Sequence, residues 1–206
     1  MDKDENSKQR ILNAATHLFA HKGFTATGIR EICRKARVNI CMISYYWGGK
    51  KELYEGIIQD LVEKQTAYAN TFTDLSIDTA KLSKQEQISL LMAMLDKIVD
   101  FLYTKVSSDL IILLLKEQQK PDWNVNSPVF QYFKKLIANI FEKDTNDREI
   151  IFRTVFILSQ INSPRILSAM TLQQLGQKEF TEKDILIIKE NVKFYVNSLL
   201  KEAGIV

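Results

Sequence analysis

Residues 27–54, TGIREICRKARVNICMISYYWGGKKELY, restrict what this chain can fold into more than any other stretch. Ile29, Ile32, Cys33 and Ala36 recur at i, i+3, i+4 and i+7, one apolar face of a two-turn helix. Thr27 or Gly28 is placed to cap that helix, and Glu31 lies in its first turn, where a carboxylate suits the helix dipole. After a short turn a second helix opens at Asn39, a good N-cap, with Val38 and Ile43 spaced as a hydrophobic staple. Its inward residues are Ile43 and Trp47, which leaves Ile40, Cys41, Met42, Ser44 and Tyr45 facing mostly outward. Gly48-Gly49 ends it, and Lys50 starts the next helix. A helix that shows water Ile, Cys, Met and Tyr needs a partner. Helix-turn-helix geometry supplies one, with the second helix in the DNA major groove. An ordinary buried helical hairpin, covered by the rest of the chain, satisfies the same pattern.

The remainder reads as helix too. Three prolines and seven glycines in 206 residues, with no run of alternating β-branched residues, favour an all-α chain. Charge is unevenly placed: residues 1–52 hold ten Lys/Arg against five Asp/Glu, whereas the rest holds eighteen against twenty. The basic excess therefore falls on the candidate DNA-binding part. Cys33 and Cys41, one on the core face and one outward, fit a reducing compartment and are not placed to bridge. Cys41 reads as a small apolar contact, with a redox-sensitive thiol as the alternative. The polar start MDKDENSKQ has no signal-peptide character, and the apolar run LIILLL is bounded by Asp109 and Lys116. The expectation is a cytoplasmic protein without a membrane span. There is no Gly-rich phosphate loop, nucleophile grouping or cysteine metal spacing, so neither an enzyme nor a cofactor is expected.

Taken in order, residues 1–6 read as a disordered arm, followed by a helix from Asn6 or Ser7 that ends at Gly23. Its buried stripe is Ile11, Ala14, Ala15, Leu18 and Phe19, and Phe24 can fold back on it. His17 and His21 have metal-capable spacing, but no carboxylate or thiol lies close in sequence, so no metal is expected and both should face solvent. A long helix runs from Lys50 to about Asn70, and the Thr/Ser/Asp-rich segment 71–83 reads as a linker or a frayed connection. Further helices are expected over about 84–104, 107–119, 128–142 and 146–161, with 107–119 central in the core because it is apolar almost all round. Ser163-Pro164 should break the pattern before a short helix ending near Gly176. Thr181 caps the last helix, 182–202.

RILNAATHLFAHKGF at 10–24, TGIREIC at 27–33 and ARVNICMISYYWGGKKEL at 36–53 resemble the N-terminal domain of the TetR family of transcriptional regulators, in order, spacing and residue type. The resemblance implies a helix-turn-helix domain over 1–52, with the helix from Lys50 as connector. It also implies a helical effector-binding and dimerisation domain over 53–206. Two departures stand out. Arg37 occupies the turn position usually held by Gly, so the backbone there is strained or the turn is altered. Ile40-Cys41-Met42 fills the middle of the recognition helix, which is often small or polar in the family. The DNA-contacting set is then Thr27, Gly28, Arg30, Arg37, Asn39, Ile40, Cys41, Met42, Ser44, Tyr45, Tyr46 and Lys50. The family likeness gives Lys50 and the paired tyrosines phosphate contacts.

The resemblance also implies a homodimer and a small-molecule effector, apolar or amphipathic because few charges interrupt the middle helices. Ile151, Val155, Leu158, Ile188, Val192, Tyr195, Val196 and Leu199 are the candidate dimer residues, although such stripes also serve a monomer's own core. Phe101, Tyr103, Trp123, Phe130, Phe133 and Phe156 are candidate pocket walls, although aromatics at helical spacing are more often plain core. A helical adaptor whose hairpin docks a protein partner is the competing reading.

Overall fold

The computed structural model describes residues 3–121 and 127–205, and every regular element among them is helical. In chain order these are α1 (Lys3–Lys22), α2 (Ile29–Ala36), α3 (Cys41–Trp47), α4 (Lys50–Ala69), α5 (Lys84–Thr104), α6 (Ser108–Glu117), α7 (Pro128–Ile140), α8 (Arg148–Ile166), α9 (Ser168–Leu175) and α10 (Glu182–Glu202), with a 3₁₀ turn at Thr79–Lys81. They form two compact units: Met1–Lys64 with Ser107–Val125, and Gln65–Val106 with Asn126–Val206. This division differs from the expected cut at 52/53, because α4 runs from the first unit into the second and α6 belongs to the first.

The first unit is built on α1. Ile11, Ala15, Leu18 and Phe19 meet Ile32, Cys33 and Ala36 of α2, Ile43 of α3, Leu53 and Ile57 of α4, and Leu113 of α6 in one core. Ile11, Ile32, Ile43 and Leu53 are fully buried, and each such side chain contributes roughly 1.5–3 kcal/mol by leaving water. α1 begins at Lys3, earlier than the arm-then-helix reading allowed. The expectation for α6 also needs correction. It packs on α1 rather than filling the middle of the C-terminal core, and only Leu113 and Glu117 along it are buried. Its all-round apolar sequence concealed which side was inner. Glu117 is tolerated there because its carboxylate accepts from the Tyr54 hydroxyl and pairs with Lys120 at 2.7 Å.

The second unit centres on α5, α7, α8 and α10, with Leu91, Leu95, Val99, Phe133, Leu136, Ile137, Ile150, Ile157, Ile161, Val192 and Val196 in its core. Capping fixes its helix starts: Thr181, the cap the sequence reading expected, forms a capping box with Asp184, and Ser83, which that reading left in the linker, forms one with Glu86. The segment 71–83 is not a frayed linker. Asp78 caps the 3₁₀ turn, and Thr79 is buried, accepting from Asn139 Nδ2 through its hydroxyl (2.7 Å) and from Gln87 Nε2 through its carbonyl (2.8 Å). α8 continues through Pro164 to Ile166 rather than stopping at 161. Pro164 lies in the last turn and cannot supply the hydrogen bond that would reach back to the Gln160 carbonyl, so the helix ends two residues later.

Candidate nucleic-acid interface

The hairpin is shaped by its turn. Arg37 closes α2 in the left-handed conformation, φ 55° and ψ 49°, so that its own N–H reaches the Arg34 carbonyl and the Val38 N–H reaches the Cys33 carbonyl at 3.0 Å. The turn keeps the glycine-like geometry, and Arg37 bears the strain that geometry imposes on an L residue. Asn39 then caps α3: its Oδ1 accepts from the Cys41 N–H at 3.0 Å and its carbonyl accepts from Met42. Regular helix starts at Cys41, two residues beyond that cap, with Ile40 already at helical angles.

Packing decides which face of α3 is left over. Ile43 is fully buried, and Trp47, Tyr46 and Val38 are half-buried against the same core. Met42 belongs with them rather than with the outward residues, so its role is packing with one edge free. The outward surface is Ile40 at 45% exposure, Tyr45 at 73%, and the exposed Cys41 and Ser44. Gly28, Arg30, Arg37 and Asn39 are exposed beside it. Tyr45 stacks edge-on to Tyr46, with ring centroids 5.0 Å apart, which limits where its hydroxyl can point.

Thr27 is the exception in the candidate set. It is buried, and its hydroxyl donates to the Gly23 carbonyl at 2.8 Å and towards Leu18, so it holds the approach to α2 rather than facing a phosphate. Lys50 stands at the start of α4 with its ammonium 4.5 Å from the Phe24 ring centroid and 3.4 Å from the Thr25 carbonyl. Phe24 in turn packs edge-on to Tyr54 and beside Phe19. This aromatic floor under Lys50 was missed; the only sequence signal was Phe24 following a helix-ending Gly23. Lys22 pairs with Glu31, and that hydrogen bond holds the Glu31 carboxyl below the usual range, so the two charges largely cancel at the rim.

In the second unit the candidate dimer residues divide. Ile188, Val192 and Val196 are buried in the unit's own core and are unavailable to a partner. Leu158, Tyr195 and Leu199 are half-buried against it. Ile151 and Val155 are exposed, as are Leu186 and Ile187, which the sequence already places off the main stripe of the last helix, and the structure adds Phe152 (54%), Phe156 (52%) and Phe194 (73%) to the same class. Phe152 and Phe194 went unrecognised because each lies off the stripe that marks its helix's inner face.

The candidate pocket walls separate as well. Phe156 faces out beside Phe152, with centroids 6.1 Å apart, and lines no interior. Phe133 is 1% exposed and simply fills the core, while Phe101 is buried against Tyr68. Tyr103 donates its hydroxyl to the Ile161 carbonyl at 2.9 Å and packs edge-on to Phe180. Burial pushes its phenol well above the ordinary range. Phe130 is half-buried, and Trp123 lies outside the described residues.

A short helix held by one buried isoleucine, exposed along its other side and joined to α2 by a tight turn, has helix-turn-helix geometry. Residues 11–57 match the family model of bacterial regulatory proteins of the tetR family, and residues 87–202 match the C-terminal domain of the HTH-type transcriptional dual regulator CecR. The chain belongs to the TetR family of transcriptional regulators, and it is a DNA-binding transcriptional regulator. CecR of Shigella flexneri is 26% identical over 97% of this chain and 93% of its own length. The probable regulator YttP of Bacillus subtilis is 36% identical, over 40% of this chain and 39% of that protein. The same fold occurs in a TetR family regulator from Pseudomonas syringae, with a TM-score of 0.59 at 14% identity, covering 98% of this chain and 97% of that one. Among the described residues no helix is long and apolar enough to cross a membrane.

Proposed function

We propose that the protein is a homodimeric repressor that binds a palindromic, A·T-rich operator and is released by a small apolar or amphipathic effector. The observation that carries the DNA half of this reading is the exposed face of α3, where Ile40 and Tyr45 stand out beside a hydrogen-bonding Asn39 and Ser44. That face offers no Arg, Lys or Gln to a guanine or adenine edge, so apolar contact with thymine methyl groups takes the larger share of direct readout. Arg30, Arg37 and Lys50 surround it with positive charge for phosphates. DNA shape supplies part of the remaining discrimination.

The dimer reading rests on the exposed apolar residues of α8 and α10. Ile151, Phe152, Val155 and Phe156 recur at helical spacing on one side of α8, and Leu186, Ile187 and Phe194 stand out on α10. Apolar residues grouped in this way mark an association surface, and two-fold pairing of one chain with another suits a palindromic site. Release by an effector rests on what the resemblance to the TetR family implies for a helical C-terminal domain. The name of that relative, a dual regulator, makes activation the alternative outcome at some promoters.

Selection of DNA from a random pool by the purified protein tests the reading. An inverted repeat with A·T-rich half-sites is expected. Replacement of thymine by uracil, which removes only the methyl group, should weaken binding at one or two positions in each half-site. A G·C-rich core, or silence of every uracil substitution, would overturn this account of Ile40.

A further inference from the structure

His17 and His21 lie one turn apart on α1, and the fold brings to them a residue 88 positions further along the chain. Asp109, in the first turn of α6, places Oδ2 2.9 Å from His17 Nδ1 and Oδ1 2.7 Å from His21 Nε2. The two rings are 4.8 Å apart between centroids and tilted by 49°. One donor atom from each of the three residues falls in a group no more than 4.8 Å across. All three side chains keep contact with water, at 42%, 50% and 32% exposure. The DNA-binding face of α3 uses none of them.

We propose that His17, His21 and Asp109 form a divalent transition-metal site, with Zn(II) as the favoured ion and water completing its coordination. Two imidazoles at i and i+4 on one helix present their nitrogens to one point, a spacing that recurs in helical zinc sites. A carboxylate as third ligand gives the N₂O donor set of sites that keep an open position, and imidazole with carboxylate suits Zn, Co or Ni over calcium or magnesium. Ligand bonds of about 2.0–2.2 Å place neighbouring ligand atoms of a tetrahedral ion roughly 3.3 Å apart. The present nitrogen-to-oxygen separations are somewhat shorter, as direct hydrogen bonds must be. Rotation of the partly exposed Asp109 carboxylate opens that gap, and the widest separation among the three donor atoms, up to 4.8 Å, has to close by rotation of the imidazoles. The exposed side of the cluster leaves room for the water.

A plain hydrogen-bonded tie between α1 and α6 uses the same three residues, and the two arrangements differ in what they bind. In the metal site both nitrogens give their lone pairs to the ion and Asp109 supplies one or both oxygens. The ion then fastens the first turn of α6 to the helix on which the first unit's core is assembled. This inference does not depend on what α3 recognises.

The test uses the untagged full chain, stripped with a chelator and titrated with Zn(II) against a chromophoric competitor, and with Co(II) followed by its visible absorption. The expected result is one ion per chain, a low-coordinate Co(II) spectrum, and a rise in melting temperature on loading. His17→Ala and His21→Ala should each weaken binding by at least about tenfold, the lower end of what even outer-sphere changes cost. Their circular dichroism without metal should match the parent. Asp109→Asn should weaken binding as well, and because it also alters the α1–α6 contact the two histidine variants serve as the primary comparison. Absence of saturable binding, or equal binding by the parent and by the His17→Ala/His21→Ala double variant, would overturn the proposal.

Discussion

Arg37→Gly should make the protein more stable and a weaker DNA binder at once. The left-handed angles at this residue, φ 55° and ψ 49°, cost an L side chain about 1–2 kcal/mol that glycine does not incur. Glycine gives back about 0.5–1 kcal/mol through the greater freedom of the unfolded chain. The net gain is therefore about 0.5–1 kcal/mol, or roughly 1–4 °C in melting temperature for a chain of this length. Arg37→Ala is the control, since it removes the same guanidinium but keeps the strained backbone and should not be stabilised. Both variants should lose one phosphate contact, seen as weaker operator binding and a salt slope lower by about one. Thermal melts monitored by circular dichroism, paired with fluorescence anisotropy on labelled duplex, read both effects. An Arg37→Gly protein that melts below Arg37→Ala would refute the reasoning, because the turn would then not be what strains this position.

Three further outcomes follow from the same geometry. Lys50→Ala should weaken all DNA sequences alike and lower the salt slope by about one, whereas loss confined to one sequence would remove Lys50 from the backbone contacts. Tyr45→Phe should lower operator affinity because Tyr45 is the more exposed of the pair, while Tyr46→Phe, half-buried on the core, should change affinity less; equal effects in anisotropy titrations would contradict the assignment. Hydrogen bonds from Thr181 and then Gln177 hold the Asp184 carboxyl below its ordinary value. The folded state therefore binds fewer protons than the unfolded one as acid is added, so this stabilisation is present above the unfolded pKa of about 3.9 and lost as pH falls through the lower folded value. Denaturation midpoints of Asp184→Asn between about pH 5 and 2 should depend less steeply on pH than those of the parent.

The sequence made legible those features that depend on neighbours in the chain. The caps at Asn39 and Thr181, the inner stripe of α1 and the extent of α5 and α10 are set by local hydrogen bonding and helical period, and these match the structure. The side of α6 that would be inner was hidden because an apolar run has no preferred face until something packs on it. Met42 was misplaced for a related reason, since exposure on a two-turn helix depends on which neighbouring helix lies beneath it; Thr27, in the connection before α2, is buried because its hydroxyl turns back to the Gly23 carbonyl at the end of α1. Val192 and Val196 satisfy equally well a core stripe and a dimer stripe, and only tertiary packing separates the two. The approach of Asp109 to His17 and His21 has no local signal at all, since nothing in residues 10–24 anticipates a partner 88 positions away.

Binding of the protein to a selected palindromic duplex, measured over a range of salt concentrations together with the mass of the complex, tests the central claim most directly. The account predicts two chains per duplex and an affinity that falls steeply as salt rises, with several phosphate contacts contributing to the slope. A single chain per duplex, or an affinity that hardly changes with salt, would contradict it and return the exposed face of α3 to the docking of a protein partner.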